Sequence, residues 1–163
     1  MKTALATLFA AVLAGCHTAA SYDINSSGYR IPPGSSLTLN KELPIPSGQR
    51  HVKLQHGQPV SGVDEFKINC EIRVYDLGVE SIRPDSFRIT SVGEGREWEL
   101  RPTVLRFFRV LNIRSDAQPE VLKLICQKSD DPLAGRNPSV PQMQEALGDY
   151  VTFEFAASPQ QAP

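Results

Sequence analysis

The chain has 163 residues, with 17 lysines and arginines against 18 aspartates and glutamates, a formal charge of −1, 40% apolar residues, 13 prolines and 11 glycines. That balance excludes a nucleic-acid binder working through a concentrated basic surface, and the length supports one domain with one core. Many turn residues and alternating apolar spacing point to a mainly β fold.

The N-terminus is an address. Lys2 precedes an apolar run from Ala4 to Leu13 broken only by Thr7, and Leu13-Ala14-Gly15-Cys16 follows. The run is too short to span a bilayer, which takes about 20 apolar residues, and small residues before a cysteine fit a secretory signal with a lipobox. Residues 1–15 are therefore expected to be a lipoprotein signal peptide, with Cys16 carrying the lipid. The several acyl chains of that modification anchor a protein stably without a transmembrane helix. His17 rather than aspartate follows the cysteine, which points to the outer membrane, with the domain facing the periplasm.

Residues 16–35 are small, polar and rich in Gly, Pro and Ser, without period, and read as a lipidated tether whose 19 residues after Cys16 span about 25 Å. From Ser36 to Phe155 the pattern is that of strands. Leu37, Leu39 and Leu43 lead to a turn at Pro44-Ile45-Pro46-Ser47-Gly48, and Arg50–His56 places Val52 and Leu54 on one face, ending at Gly57 and Pro59. The clearest alternation is Phe66–Tyr75, with Phe66, Ile68, Cys70, Ile72 and Val74 facing the core from an inner strand.

Phe87 and Ile89 share a face in the next strand, Gly93-Glu94-Gly95 reads as a hairpin turn, and a long strand from Trp98 to Arg114 is interrupted at Pro102. Val104 to Ile113 is apolar on both parities, so either both faces are covered or a bulge near Phe107-Phe108 shifts the register. Glu120–Gln127 places Leu122, Leu124 and Cys126 together. Ser139, Pro141 and Gln142 start a short helix with Met143, Ala146 and Leu147 on one face and Gly148 at its end. Tyr150–Phe155 is the last strand, and residues 156–163 form a flexible tail. The expected fold is a single antiparallel β-sandwich or barrel-like domain with one short C-terminal helix.

Once Cys16 is assigned to lipid, Cys70 and Cys126 remain as an even pair in an oxidising compartment, and a disulfide is the natural reading. The common signatures of hydrolases, zinc sites, redox pairs and phosphate loops are missing, so no catalytic residue, metal ligand or cofactor is assigned. His51 and His56 would lie on opposite faces of one strand. Asp64-Glu65 and Asp130-Asp131 flank turn residues, where carboxylates ordinarily shape the turn. Arg101, Arg106, Arg109 and Arg114, interleaved with Phe107 and Phe108, are a possible surface contact for headgroups, phosphates or a partner's acids. The alternative is that they pair with carboxylates such as Glu97, Glu99 or Glu120.

Leu43-Pro44-Ile45-Pro46 with Gly48, the Cys70 strand, Arg83-Pro84-Asp85-Ser86-Phe87, Gln118-Pro119-Glu120 before the Cys126 strand, and Ala146-Leu147-Gly148-Asp149-Tyr150 together resemble an uncharacterised family of small proteobacterial lipoproteins. The resemblance covers most of residues 36–155 and implies a lipobox, a β-rich domain and a disulfide, and it carries no catalytic residue across. Two functions follow as expectations. One is a non-enzymatic accessory or protein-interaction module held on an envelope membrane, its partner an envelope protein or lipid. The other is a small-molecule or lipid-binding barrel lined by Phe107, Phe108 and Phe153.

Overall fold

A computed structural model describes residues 23–99 and 103–157. The expected signal peptide 1–15, Cys16, His17, Arg101 and most of the tail lie outside the described residues. Ten strands form: β1 Ser36–Leu39, β2 Leu43–Pro44, β3 His51–Gln55, β4 Gln58–Val60, β5 Asn69–Val74, β6 Ser81–Ile82, β7 Asp85–Trp98, β8 Leu105–Arg114, β9 Val121–Asp130 and β10 Val151–Glu154. Helix α1, Val140–Leu147, precedes β10.

Eight strands make one antiparallel sheet in the order β10-β1-β7-β8-β9-β5-β3-β4, curled into a half-barrel, and β2 pairs with β6 as a separate ribbon. The fold is thus the mainly β, barrel-like domain with one short helix near its C-terminus that the residue pattern implies. Alternation decides which side chains enter the half-barrel. Leu37 and Leu39 of β1, Phe87 and Ile89 of β7, Leu111 and Ile113 of β8, Leu124 and Cys126 of β9, Cys70 and Ile72 of β5, and Val52 and Leu54 of β3 all lie buried in one core. Val140, Met143, Ala146 and Leu147 of α1 and Leu43 and Ile82 of the ribbon fill the concavity.

The helix starts where the capping pattern places it, with the Ser139 N–H donating to Gln142 Oε1 at 3.0 Å. Its end is fixed by a backbone approach. Gly148 has φ 57° and ψ −139°, and a Cβ there would stand 2.5 Å from the Cα of Gly57. Gly57 in turn belongs to the His56-Gly57 turn joining β3 to β4, in which both residues have positive φ and the Gly57 N–H donates to Ala146 O at 3.1 Å. The strand ends before Gly57, as the pattern implies, and beyond the turn the chain returns as β4, where Pro59 is tolerated because β4 is an edge strand.

Four expectations are corrected. Gly93-Glu94-Gly95 is no turn: it lies inside the 14-residue β7, paired with Val110, Arg109 and Phe108, and the reversal comes after Trp98. The bulge expected near Phe107-Phe108 is in the partner strand, at Thr90, while β8 alternates cleanly. Phe107 faces inward against Gly135 and Phe108 outward over Gly95. Leu122 is exposed, because a register irregularity opposite Arg73 and Val74 turns it outward and returns Val121 to the core; Phe66 is exposed ahead of β5.

The tether is also shorter than the predicted 16–35. Ile31 and Ser35 are buried, Ser35 O accepts from the Ile89 N–H at 2.9 Å, and Tyr29 packs edge-on against Phe155. Residues 23–35 belong to the domain.

Candidate functional site

Cys70 and Cys126 face each other directly across β5 and β9, with Cα atoms 4.0 Å apart and the sulfurs bonded. Across β8 from Cys126 stands Arg109, which shares the inward parity of Leu105, Phe107, Leu111 and Ile113. Its side chain is fully buried. Nη2 contacts Glu94 Oε1 at 2.5 Å and donates to Ser27 O at 2.9 Å. Nε and Nη1 have no hydrogen-bond partner among the described residues, nor does Asn137 Oδ1, whose amide nitrogen donates to Glu94 Oε2 at 3.2 Å. The Thr90 bulge creates this pair. Before it Ile89 opposes Ile113, and after it the register has slipped by one, so Glu94 and not Gly93 meets Arg109.

The arginines expected to share a surface do not. Arg106 points to the outer face, where it pairs with Glu97, donates to Gln127 Oε1 at 3.1 Å and lies over the Phe108 ring. Arg114 is exposed at the far end of β8, 3.8 Å from Asp116. Arg106 thus takes the ion pair foreseen with Glu97, while Arg109 takes a carboxylate not foreseen. Its burial was missed in the sequence, because the strand is apolar on both parities and so does not mark Arg109 as inward.

The outer face carries an open groove of about 670 Å³. Its floor is made of polar residues that are themselves buried, Asn69, Glu71 and Ser129. Arg73 contacts Glu71 at 2.6 Å, Ser129 donates to Glu99, and Gln127 Nε2 donates to Asn69 Oδ1 at 3.4 Å. His51, Lys53 and Glu65 line it without an ion pair among the described residues. Such a wall offers charges of both signs together with amides, and so matches a polar ligand or a partner's polar surface rather than an acyl chain. Phe107, Phe108 and Phe153 do not line a common cavity: Phe107 is inward, Phe108 outward, and Phe153 stacks on Phe155 at 5.8 Å near the β10 edge.

The other candidates settle into structural roles. His51 is on β3 and His56 in the following turn. Asp64 Oδ1 accepts from the Phe66 N–H at 3.0 Å, and Asp131 Oδ1 accepts from the N–H groups of Leu133 and Ala134 at 2.8 and 3.1 Å. The ammonium of Lys128, 2.9 Å from Asp130, holds that carboxyl below the usual carboxylate range.

A network missed in sequence joins two of the quoted motifs. Gln118 is buried; its Oε1 accepts from the Arg83 N–H at 2.8 Å, and its Nε2 donates to Arg83 O at 3.0 Å and Asp85 Oδ2 at 3.1 Å. Donation from the Ser115 hydroxyl, and less from Gln118, lowers the Asp85 pKa. Comparison of the chain with protein-family models, curated proteins and solved structures finds no match.

Proposed function

We propose that the protein is a lipid-anchored envelope lipoprotein of the outer membrane that faces the periplasm and acts as a non-enzymatic interaction module. The reading rests on the Leu13-Ala14-Gly15-Cys16 lipobox. The Cys70–Cys126 disulfide supports it, since such a bond belongs to an oxidising compartment. No helix among the described residues is long and apolar enough to cross a membrane. The filled concavity favours contact through the outer surface over enclosure of a ligand. Cys16→Ser is expected to abolish fatty-acid labelling and leader cleavage; labelling that persists overturns the anchor. Cross-linking of the wild-type chain in envelope membranes, compared with Arg73→Glu on the groove, is expected to lose its adduct in the variant.

The groove of about 670 Å³ favours one second reading, a binder of small polar molecules. Saturable binding of such a molecule to the purified domain, abolished by Arg73→Glu without any cross-linked protein, separates it from the first.

A further inference from the structure

We propose that the end of the domain bearing Trp98 and Leu133 rests in the headgroup region of the membrane that carries the Cys16 lipid, an inference that depends on the anchor reading above. The starting point is where the described chain begins. Ser27 O is held by Arg109, and Asn25 and Ser27 border a surface hollow with Lys128, Ala134 and Arg136. Lys128 is near the end of β9 and pairs with Phe107 near the start of β8. The chain therefore joins the domain at the end of the half-barrel where β7 turns into β8.

Only the step from Cys16 to Asp23 separates that end from the lipid. Seven residues reach at most about 25 Å when extended, and about 15 Å as a flexible coil. The packing of residues 23–35 on the domain thus removes the clearance that a 19-residue tether would supply. This end of the protein is held within contact range of the bilayer.

The side chains there suit such a contact. Trp98 closes β7 opposite Leu105 and is 63% exposed. Leu133 is 88% exposed in the loop after β9, and Pro132 of that loop shares a hollow with Trp98 and Leu105. The loop is braced: Asp131 Oδ1 accepts the N–H groups of Leu133 and Ala134, and Arg136 Nη1 donates to the carbonyls of Leu133, Ala134 and Gly135 at 3.1, 3.1 and 2.7 Å. Leu133 is presented outward on a fixed turn. Tryptophan concentrates at membrane interfaces, and a neighbouring leucine adds apolar area that inserts between headgroups. Tyr75, Leu77 and Leu122 are exposed too, but at the opposite end, the length of β9 or about 30 Å away, beyond the same bilayer's reach.

Trp98 is the chain's single tryptophan, so its emission reports on this end alone. The lipidated protein is reconstituted into vesicles of phosphatidylethanolamine and phosphatidylglycerol, with brominated acyl chains in a parallel sample. The expected result is flotation with the vesicles, a blue-shifted emission relative to an unlipidated chain lacking residues 1–16, and quenching by bromine. Leu133→Asp, a change at an exposed position, should float equally and lose most of the quenching. With Trp98→Phe, a reporter placed by Leu77→Trp should stay water-like and unquenched. Flotation with an unquenched Trp98, or equal quenching at both ends, overturns the proposed contact while leaving the anchor intact. Failure to float overturns the anchor and the contact with it.

Discussion

Glu94→Gln removes the one counter-charge, among the described residues, of a guanidinium that has no exposure to water, while keeping the side chain's size. Breaking a buried ion pair by neutralising one partner costs about 3–5 kcal/mol, and the 36% exposure of the Glu94 side chain places the expectation near 3. The reverse change is milder. Arg109→Met takes the charge away and fills most of the space, and the stranded carboxylate can turn to solvent, so the cost is about 1 kcal/mol, from the freed Ser27 carbonyl. The double variant should then match Arg109→Met rather than sum the two. Urea unfolding of the oxidised chain lacking residues 1–16, followed by circular dichroism, should show these as shifts in midpoint at constant slope. About 3 kcal/mol corresponds to roughly ten degrees in Tm for a domain of this size. If Arg109→Met proves more damaging than Glu94→Gln, the arginine is held for packing and for Ser27, and the electrostatic account is wrong.

Three other outcomes follow from the structure. Reducing Cys70–Cys126, which closes a separation of 56 residues, should cost about 4 kcal/mol on the chain-entropy argument, and Cys70→Ala, Cys126→Ala and the double variant should unfold alike, as calorimetry can check. Gly148→Ala combines a positive-φ strain of about 1–3 kcal/mol with a Cβ against Gly57, so its midpoint should fall further than that of an alanine substitution at exposed Gly62, which has open space. Asp85, whose pKa is lowered chiefly by the Ser115 hydroxyl, contributes stability that is present above the unfolded carboxylate value of about 4 and is lost as pH falls through its lower folded value. The loss of urea midpoint between about pH 6 and pH 3 should therefore be smaller in Asp85→Asn than in the parent.

The strands were legible wherever apolar and polar residues alternate, as in Val52 and Leu54, Cys70 and Ile72, or Phe87 and Ile89, because that period of two sets the core face apart. The helix was legible from Ser139, Pro141, Gln142 and Gly148. What sequence reading missed are register events. A glycine pair flanking an acid reads as a turn, yet Gly93 and Gly95 are ladder residues, and the face of β7 reverses at Thr90, whose identity carries no bulge signal. Leu122 likewise matched Leu124 and Cys126 by parity until the irregularity beside Val74 moved it out. The Gln118 network was invisible because it is made by one side chain on the backbone of a segment 35 residues away. The outer groove was hidden too, since its floor of Asn69, Glu71 and Ser129 is polar and reads as solvent-facing.

The position of β1 governs the order in which the chain can mature. It lies between β7 and β10, with Ser36 opposite both Arg88 and Glu154, so the strand nearest the N-terminus is completed only by the strand nearest the C-terminus. Closing contacts of that separation is slow relative to local pairing. His51–Asp130 can pair and form its disulfide as a partial sheet while β1 still lacks one neighbour. The segment from Asp23 to Ser35 meets β7 through Ser35 and β8 through Ser27, and its Tyr29 reaches Phe155 only once β10 is in place. A chain truncated before Val151 should therefore leave β1 as an open edge available to chaperones and proteases.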